Sequence, residues 1–300
     1  MASRPDLYPF EANLHYFDSI VRSAQQSIVV QIEAAIRAGD LSTAARRQAQ
    51  LASIERTLAE LAATANPLAS RMVQEAWHQG AKRALGQVQA LPIDTPELPG
   101  AFNGVSREAV QAMQQSLSQR LDAATQTLGR RVNDIYAREQ RRAALRAILG
   151  AEGSPQEASR QLQTQLLKDK DIQRAVSDGQ TGFVDSAGKR WSLDTYANMA
   201  TRTVTREAVV QGAVARMASH GIAIGRISTH PNSCDICDPF QGMLVDLAGS
   251  GITEYKGEAV SEGDLPPYHP NCRHSVEPVS VTIDSIREEL EAGELEGVGA

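Results

Sequence analysis

Apolar and polar residues alternate along the first part of the chain at the spacing of an amphipathic helix. Between Phe10 and Ala38 the apolar side chains recur every three or four positions, so they fall on one helical face. Gly39–Asp40 interrupts the pattern and ends the helix. The face consists of Leu14, Phe17, Ile20, Val21, Ala24, Ile28, Ile32, Ala35 and Ile36. The first element is therefore predicted to be a helix that buries this face.

Two further helices are predicted within residues 1–90. One begins at Ser42 or Thr43, since either side chain can cap it. It is predicted to break at Asn66–Pro67, because proline lacks a backbone donor and clashes with the preceding turn. The next helix covers Leu68–Gln89. Residues 1–90 are therefore interpreted as a helical hairpin or bundle.

Prolines and glycines change the pattern in residues 91–105, which predict a linker. Residues 106–150 then contain no proline and a single interior glycine, Gly129. One helix over this stretch, or two helices in line, would span up to roughly 65 Å at the usual rise per residue. Such long helices commonly bridge partners or pack in an assembly, so this stretch is a candidate interaction element.

The end of this long helix carries a basic face. Arg131, Arg138, Arg142 and Arg146 follow one another at intervals of seven, four and four residues. One interpretation is contact with DNA phosphates or with an acidic protein surface. The other is an ordinary solvated helix face, which the lack of interleaved aromatic residues favours. The sequence leaves both open.

Residues 151–282 predict a smaller α+β domain, because β-branched runs and turn residues appear between helices. Residues 283–300 predict a last helix and an acidic tail. The predicted elements are a helix from Ser154 to about Lys168, a hairpin around Gly188, a helix over Leu193–His220, strands over Ile222–Thr229 and Gln241–Leu247, and an edge strand over Ser275–Thr282. The fold class is therefore mainly α, with long N-terminal helices followed by a mixed sheet.

Composition adds limits to this picture. The net charge of −6 is mild, but residues 151–300 hold 22 Asp and Glu against 13 Lys and Arg, so the second half is acidic. No apolar run approaches the length of a membrane span, and Met1–Asp6 lacks the features of a secretory signal. The protein is therefore expected in a cytoplasm-like setting, without a membrane partner. In such a compartment three cysteines indicate metal rather than disulfides.

Residues with metal-ligand chemistry are concentrated between His230 and His274, which hold all three cysteines and three of the six histidines. Two pairs of these residues, Cys234 with Cys237 and His269 with Cys272, each have two residues between their members. A tight turn of that spacing can aim both side chains at one tetrahedral Zn²⁺. The predicted ligands are Cys234, Cys237, His269 and Cys272, with His230 and His274 as substitutes for His269. This set resembles a zinc knuckle, and four N or S donors favour a structural ion. The competing interpretation is that the side chains pack without metal.

Four segments around these residues carry a family resemblance. They are the run Trp191–Thr203, the segment Ile227–His230, the pair Cys234 and Cys237 with Gln241–Gly242 after it, and the run Pro266–His274. Together they resemble tailed-phage minor capsid proteins of the Mu F-like head-morphogenesis group, of the phage minor capsid protein 2 type. The resemblance covers roughly residues 180–280. The helical first half carries no such signature.

This resemblance implies a virion protein rather than an enzyme. It implies a minor head component that is assembled in the host cytoplasm with the portal protein and the major capsid protein. Its place would be the capsid interior or the portal vertex, and its role head assembly and genome packaging or delivery. Packaged DNA is a further candidate partner, and no small-molecule substrate is expected.

Two alternatives of other classes remain at this point. A zinc-supported endonuclease could use His274 or His230 as its base, although no acidic pair is placed for Mg²⁺. A DNA-binding zinc module is the other, although the acidic second half opposes phosphate binding.

Overall fold

The computed structural model describes residues 11–38, 44–95, 105–149, 183–184, 190–263, 265–270 and 272–292. Some predictions lie wholly or partly outside these residues: most of the linker, the helix after Ser154, the turn of the hairpin around Gly188, the side chains of the basic face, and the end of the acidic tail. The predicted domain boundaries stay predictions.

Five α-helices form in the described residues, and the mainly α fold class is confirmed. They are α1 (Glu11–Ala38), α2 (Ala44–Gln89), α3 (Val105–Leu149), α4 (Leu193–Ser219) and α5 (Ile283–Glu291). The bounds of α1 and α4 agree with the sequence prediction within one residue, and α3 is one continuous helix rather than two in line. Within the described part of the chain, no helix is both long and apolar enough to cross a membrane.

The predicted break at Asn66–Pro67 is wrong, because α2 continues through Pro67. A proline inside a helix costs about 3 kcal/mol or more. Here Ala65, Leu68 and Ala69 on both sides of it are buried. Burial of these flanking side chains offsets the lost backbone hydrogen bond, so tertiary packing overrides the local signal.

The chain divides into two compact units that interleave along the sequence. The first, called the helical unit, comprises Asn13–Ala69 and Ser118–Ala200. The second, called the sheet unit, comprises Met1–Ala12, Ser70–Leu117 and Thr201–Ala300. Each unit has its own buried core.

The core of the helical unit comes from the apolar faces of its helices. Phe17 and Ile28 of α1 are fully buried, and so is Tyr136 of α3. Polar cross-links lie at the margin of this core. The Gln31 amide donates to the Thr57 hydroxyl at 3.0 Å, and the Asn66 amide donates to the Asp122 carboxylate at 3.0 Å. Periodic burial therefore holds this unit together.

Within the sheet unit, α2 and α4 approach each other closely through two glycines. A Cβ added at Gly80 would lie 1.9 Å from the Val209 carbonyl oxygen, and one at Gly212 would lie 2.2 Å from the Trp77 carbonyl oxygen. Each glycine thus faces the backbone of the other helix. Only residues without a side chain permit this separation.

The sheet unit also contains a five-stranded mixed sheet in the order β5-β6-β4-β3-β7. Its strands are β3 (Ile224–Ile227), β4 (Leu244–Asp246), β5 (Glu254–Tyr255), β6 (Glu258–Glu262) and β7 (Val276–Pro278). The β4–β6 pair is parallel and the other pairs are antiparallel. A separate pair, β1 (Phe183–Val184) and β2 (Arg190–Trp191), is antiparallel as the hairpin prediction required. Strand β7 lies at the sheet edge, where Pro278 is tolerated.

One side of this sheet packs on α4. Val210, Ala213 and Met217 of α4 share a buried cluster with Ile227 of β3 and Val276 of β7. Both strands end or begin at the same end of the sheet, since Ile227 pairs with Val276. The segments that carry the predicted ligands leave the sheet from this end.

Candidate metal centre

Each predicted ligand pair closes a tight turn. The Cys237 and Asp238 N–H groups both donate to the Cys234 carbonyl, at 2.8 and 3.0 Å, and a short 3₁₀ helix over Asp238–Phe240 follows. In the second turn the Cys272 N–H donates to the His269 carbonyl at 3.1 Å. Both turns therefore bring side chains three positions apart to the same side of the backbone.

Hydrogen bonds hold together the two ligand segments, the first with Cys234 and Cys237 and the second with His269, Cys272 and His274. The Ser228 N–H donates to the Ser275 carbonyl at 2.8 Å, and the Ser275 N–H donates to the Ser228 hydroxyl at 2.9 Å. Gln241 ties the ends of the first turn, because its side chain accepts from the His230 N–H at 2.6 Å and donates to Asp238 at 3.1 Å. The turns are therefore fixed from the end of β3 to the start of β7.

The ligand atoms form two groups of three that share Cys237. One group contains Cys234, Cys237 and His269, and the other contains Cys237, Cys272 and His274; within each, the ligand atoms lie within 4.8 Å of one another. The four predicted ligands are therefore split between the two groups: Cys234 and His269 lie in one, Cys272 lies in the other, and Cys237 belongs to both. Of the three candidate histidines, His269 and His274 each join two cysteines.

Each of three donor pairs has the spacing that two ligands of one tetrahedral ion would have. The Cys237 and Cys272 sulfurs are 3.8 Å apart, Cys234 Sγ is 3.3 Å from His269 Nε2, and Cys272 Sγ is 3.7 Å from His274 Nδ1. Around a tetrahedral zinc with ordinary bond lengths, two sulfurs are separated by roughly 3.8 Å and a sulfur and a nitrogen by roughly 3.6 Å. Thiolate and imidazole donors are also the chemistry that zinc prefers. The residues present therefore fit this ion.

Electrostatics differ across the cluster. Burial is the main cause that raises the pKa of the Cys237 thiol to about 12. The pKa of the exposed Cys234 thiol is lowered, chiefly by a hydrogen bond from the backbone of Cys237. Burial also lowers the pKa of His274, with the nearby His230 as the next cause, which favours its neutral, metal-binding form. Of the two thiols in the first turn, Cys234 therefore ionises first.

His230 lies beside the cluster and belongs to neither group of three. Its Nε2 is 3.2 Å from the Arg273 carbonyl oxygen and 3.3 Å from the Ser228 hydroxyl. Its ring also meets the His274 ring edge to face, with centroids 4.7 Å apart. This geometry suits a residue that supports the second ligand segment.

Sequence reasoning missed three residues that surround the cluster. Phe240 and Tyr268 stack with ring centroids 4.0 Å apart and an interplanar angle of 11°. One follows the cysteine pair and the other precedes His269, so their positions beside the ligand pairs offered a signal. Arg206 of α4 donates to carbonyls of the second ligand segment. Nothing in the sequence marks it, since its partners are backbone atoms.

The predicted basic face lies on α3, which is continuous from Val105 to Leu149. In a continuous helix the seven, four and four spacing places the four Cα atoms on one side. The side chains of Arg131, Arg138, Arg142 and Arg146 lie outside the described residues. Their contacts stay a prediction.

The fold and the cluster define a class: a mainly helical protein whose small C-terminal mixed sheet carries a Cys/His group able to hold a metal. Comparison with protein families then identifies the family. The model described as phage minor capsid protein 2 matches residues 20–297, nearly the whole chain, so the chain belongs to that family. Searches of curated proteins and of solved structures found no significant match. Membership makes the chain a structural protein of phage particles, and the resemblance noted in the sequence is confirmed.

Proposed function

We propose that the protein is a minor, non-enzymatic component of a tailed-phage head. It acts at or near the portal vertex in head assembly and in genome packaging or delivery, with the portal protein, the major capsid protein or both as neighbours. The family match over residues 20–297 carries this proposal. The long helices α2 and α3, of 46 and 45 residues, support it, because helices of this length suit an element that reaches between neighbours.

A structural zinc ion completes the sheet unit in this proposal. Cys234, Cys237 and Cys272 would bind it, with His269 or His274 as the fourth ligand. Zinc would supply four bonds that join the two ligand turns and no redox chemistry. A set of four protein donors leaves no coordination position for a reacting water, which supports a structural role rather than a catalytic one.

Electron-microscopy reconstruction tests the location of the protein. Reconstructions are compared for purified phage particles produced with and without the gene that encodes the chain. Density near the portal that disappears in the deletion supports the proposal, together with heads that fail to assemble or to retain DNA. Normal infectious particles without this protein would overturn it, and so would density confined to sites remote from the portal.

The basic face of α3 has its own test on the full chain. Replacement of Arg131, Arg138, Arg142 and Arg146 by Gln is compared with replacement of the exposed Arg56, Arg71, Arg83 and Arg120. DNA binding that weakens only in the first variant, with a smaller salt slope, supports phosphate contact. Unchanged DNA binding with a lost portal or capsid interaction supports a protein contact. Equal behaviour of both variants leaves the face with no partner.

Absence of enzyme activity is tested with DNA. The metal-loaded protein and its chelated form are incubated with plasmid DNA. Neither is expected to cut it. Cleavage that requires the metal and is lost on substitution of His274 or His230 would replace the structural proposal with that of a zinc-supported endonuclease.

A further inference from the structure

Arg206 is a buried arginine on α4 that reaches the second ligand segment. Its side chain is 4% exposed. Its Nη2 donates to the Arg273 carbonyl at 2.5 Å and to the His274 carbonyl at 2.9 Å. These two carbonyls follow Cys272 directly in the chain. One guanidinium nitrogen therefore fixes the backbone that carries two of the candidate ligands.

The helix that carries Arg206 is itself well anchored. Val210 and Met217 of α4 lie in the buried cluster that also contains Val276, two residues beyond His274. The segment from Cys272 to Val276 is thus held to α4 by guanidinium hydrogen bonds at one end and by apolar contact at the other. A rigid helix is a precise support for a ligand, because its backbone cannot shift independently of the core.

We propose that Arg206 is a positioning residue of the metal centre: it holds the Cys272–His274 segment in the conformation that binds the ion. This inference rests on the proposed zinc site. It predicts that the ion is bound more weakly when Arg206 is replaced, although Arg206 is not a ligand. Outer groups that orient ligands typically change metal affinity by about 10- to 100-fold.

The test compares the full chain with three variants, Arg206→Gln, Arg206→Lys and Arg226→Gln. The last is a control, because Arg226 is a half-exposed arginine of strand β3 that pairs with Glu258 and donates to the Gly242 carbonyl, not to the segment from Cys272 to His274. Zinc affinity is measured by competition with a chromophoric chelator, at a temperature at which circular dichroism shows every variant folded. Cobalt substitution then reports ligand geometry through its absorption spectrum.

The expected result is a zinc affinity about 10- to 100-fold weaker in Arg206→Gln, with a shifted cobalt spectrum. The zinc affinity of Arg206→Lys should lie between those of Arg206→Gln and the Arg226→Gln control, since lysine keeps the charge but loses the planar donor geometry. Arg206→Lys carries the test if Arg206→Gln does not fold. Wild-type affinity and spectra in both Arg206 variants would overturn the inference while the metal site stands. Failure of the wild-type protein to bind zinc would overturn the site itself.

Discussion

The helical unit and the sheet unit reach stability by different physical routes. In the helical unit, long helices bury repeated apolar positions such as Phe17, Ile28 and Leu58. In the sheet unit, strands of two to five residues are joined by segments that hold cysteines, histidines and turn residues. Two buried apolar clusters also stabilise this unit. Because such short strands bury little apolar area themselves, we expect the proposed metal to contribute further stability there. The hydrophobic pattern accounts for the helical unit, whereas the sheet unit would add the proposed ligand chemistry to its apolar core.

The strongest test of this contrast is loss of the metal. Chelation or the Cys237→Ser substitution is expected to destabilise the sheet unit by several kcal/mol, because a structural zinc contributes its binding free energy to folding. Hydrogen exchange should accelerate in residues 228–243 and 265–275 and stay slow in α1. Ser233→Ala, in the same loop, is the control and should change neither quantity. Identical melting of the metal-loaded and chelated proteins would contradict the contrast.

A second test concerns the contact between α2 and α4. Gly80→Ala should destabilise the sheet unit by about 2 kcal/mol or more, because the new methyl group would meet the Val209 carbonyl and force backbone shifts. Gly86 lies on the same helix, with nothing within 4 Å of an added Cβ. Gly86→Ala should therefore stabilise the protein by up to about 1 kcal/mol through helix propensity. Chemical denaturation measures both, and a similar effect of the two changes would show that the close contact does not form.

The helical unit can be tested along a single helix. Ile28→Ala removes a fully buried side chain of α1 and should cost about 2 to 4 kcal/mol. Val30→Ala changes a side chain that is 62% exposed and should cost less than about 0.5 kcal/mol. Urea unfolding of the two variants gives the comparison. Equal losses would mean that α1 does not bury the face its sequence predicts.

The smallest effect at neutral pH is expected at Tyr136. Burial raises the pKa of its phenol from 10.0 to about 12. A folded-state pKa above the unfolded value gives stability that is complete below pH 10 and is lost as the pH rises towards 12. By pH 11 this loss should reach about 1 kcal/mol.

Tyr136→Phe provides the control for this alkaline loss. The Tyr136 hydroxyl has no hydrogen-bond partner among the described residues, so its removal leaves no donor or acceptor unpaired. Stability is followed from pH 8 to pH 11 in both proteins. The wild type should lose more than the variant over that range, and parallel curves would show that the phenol is not buried.

How far the sequence predicted each region follows from the same contrast. The stripe of α1 predicted its buried face because the period of a helix translates directly into position. The break at Pro67 was wrong because Ala65, Leu68 and Ala69 are buried around it, and no local pattern reveals that packing. In the cluster, spacing predicted the cysteine turns. It favoured His269 as the fourth ligand over His230 and His274, and that choice stays a prediction, since His269 and His274 each lie near two cysteines. It could not find Arg206, whose partners are carbonyl oxygens.

The paired glycines between α2 and α4 also constrain how the family can diverge. At each of Gly80 and Gly212 an added methyl group would meet a main-chain oxygen rather than a side chain. Every residue type carries that oxygen, so no exchange at Val209 or Trp77 could make room for a larger residue. A second mutation therefore cannot compensate for a larger residue at either of these two glycine positions. Relatives that keep this helix crossing should have glycine at both positions, even where the rest of both helices has changed.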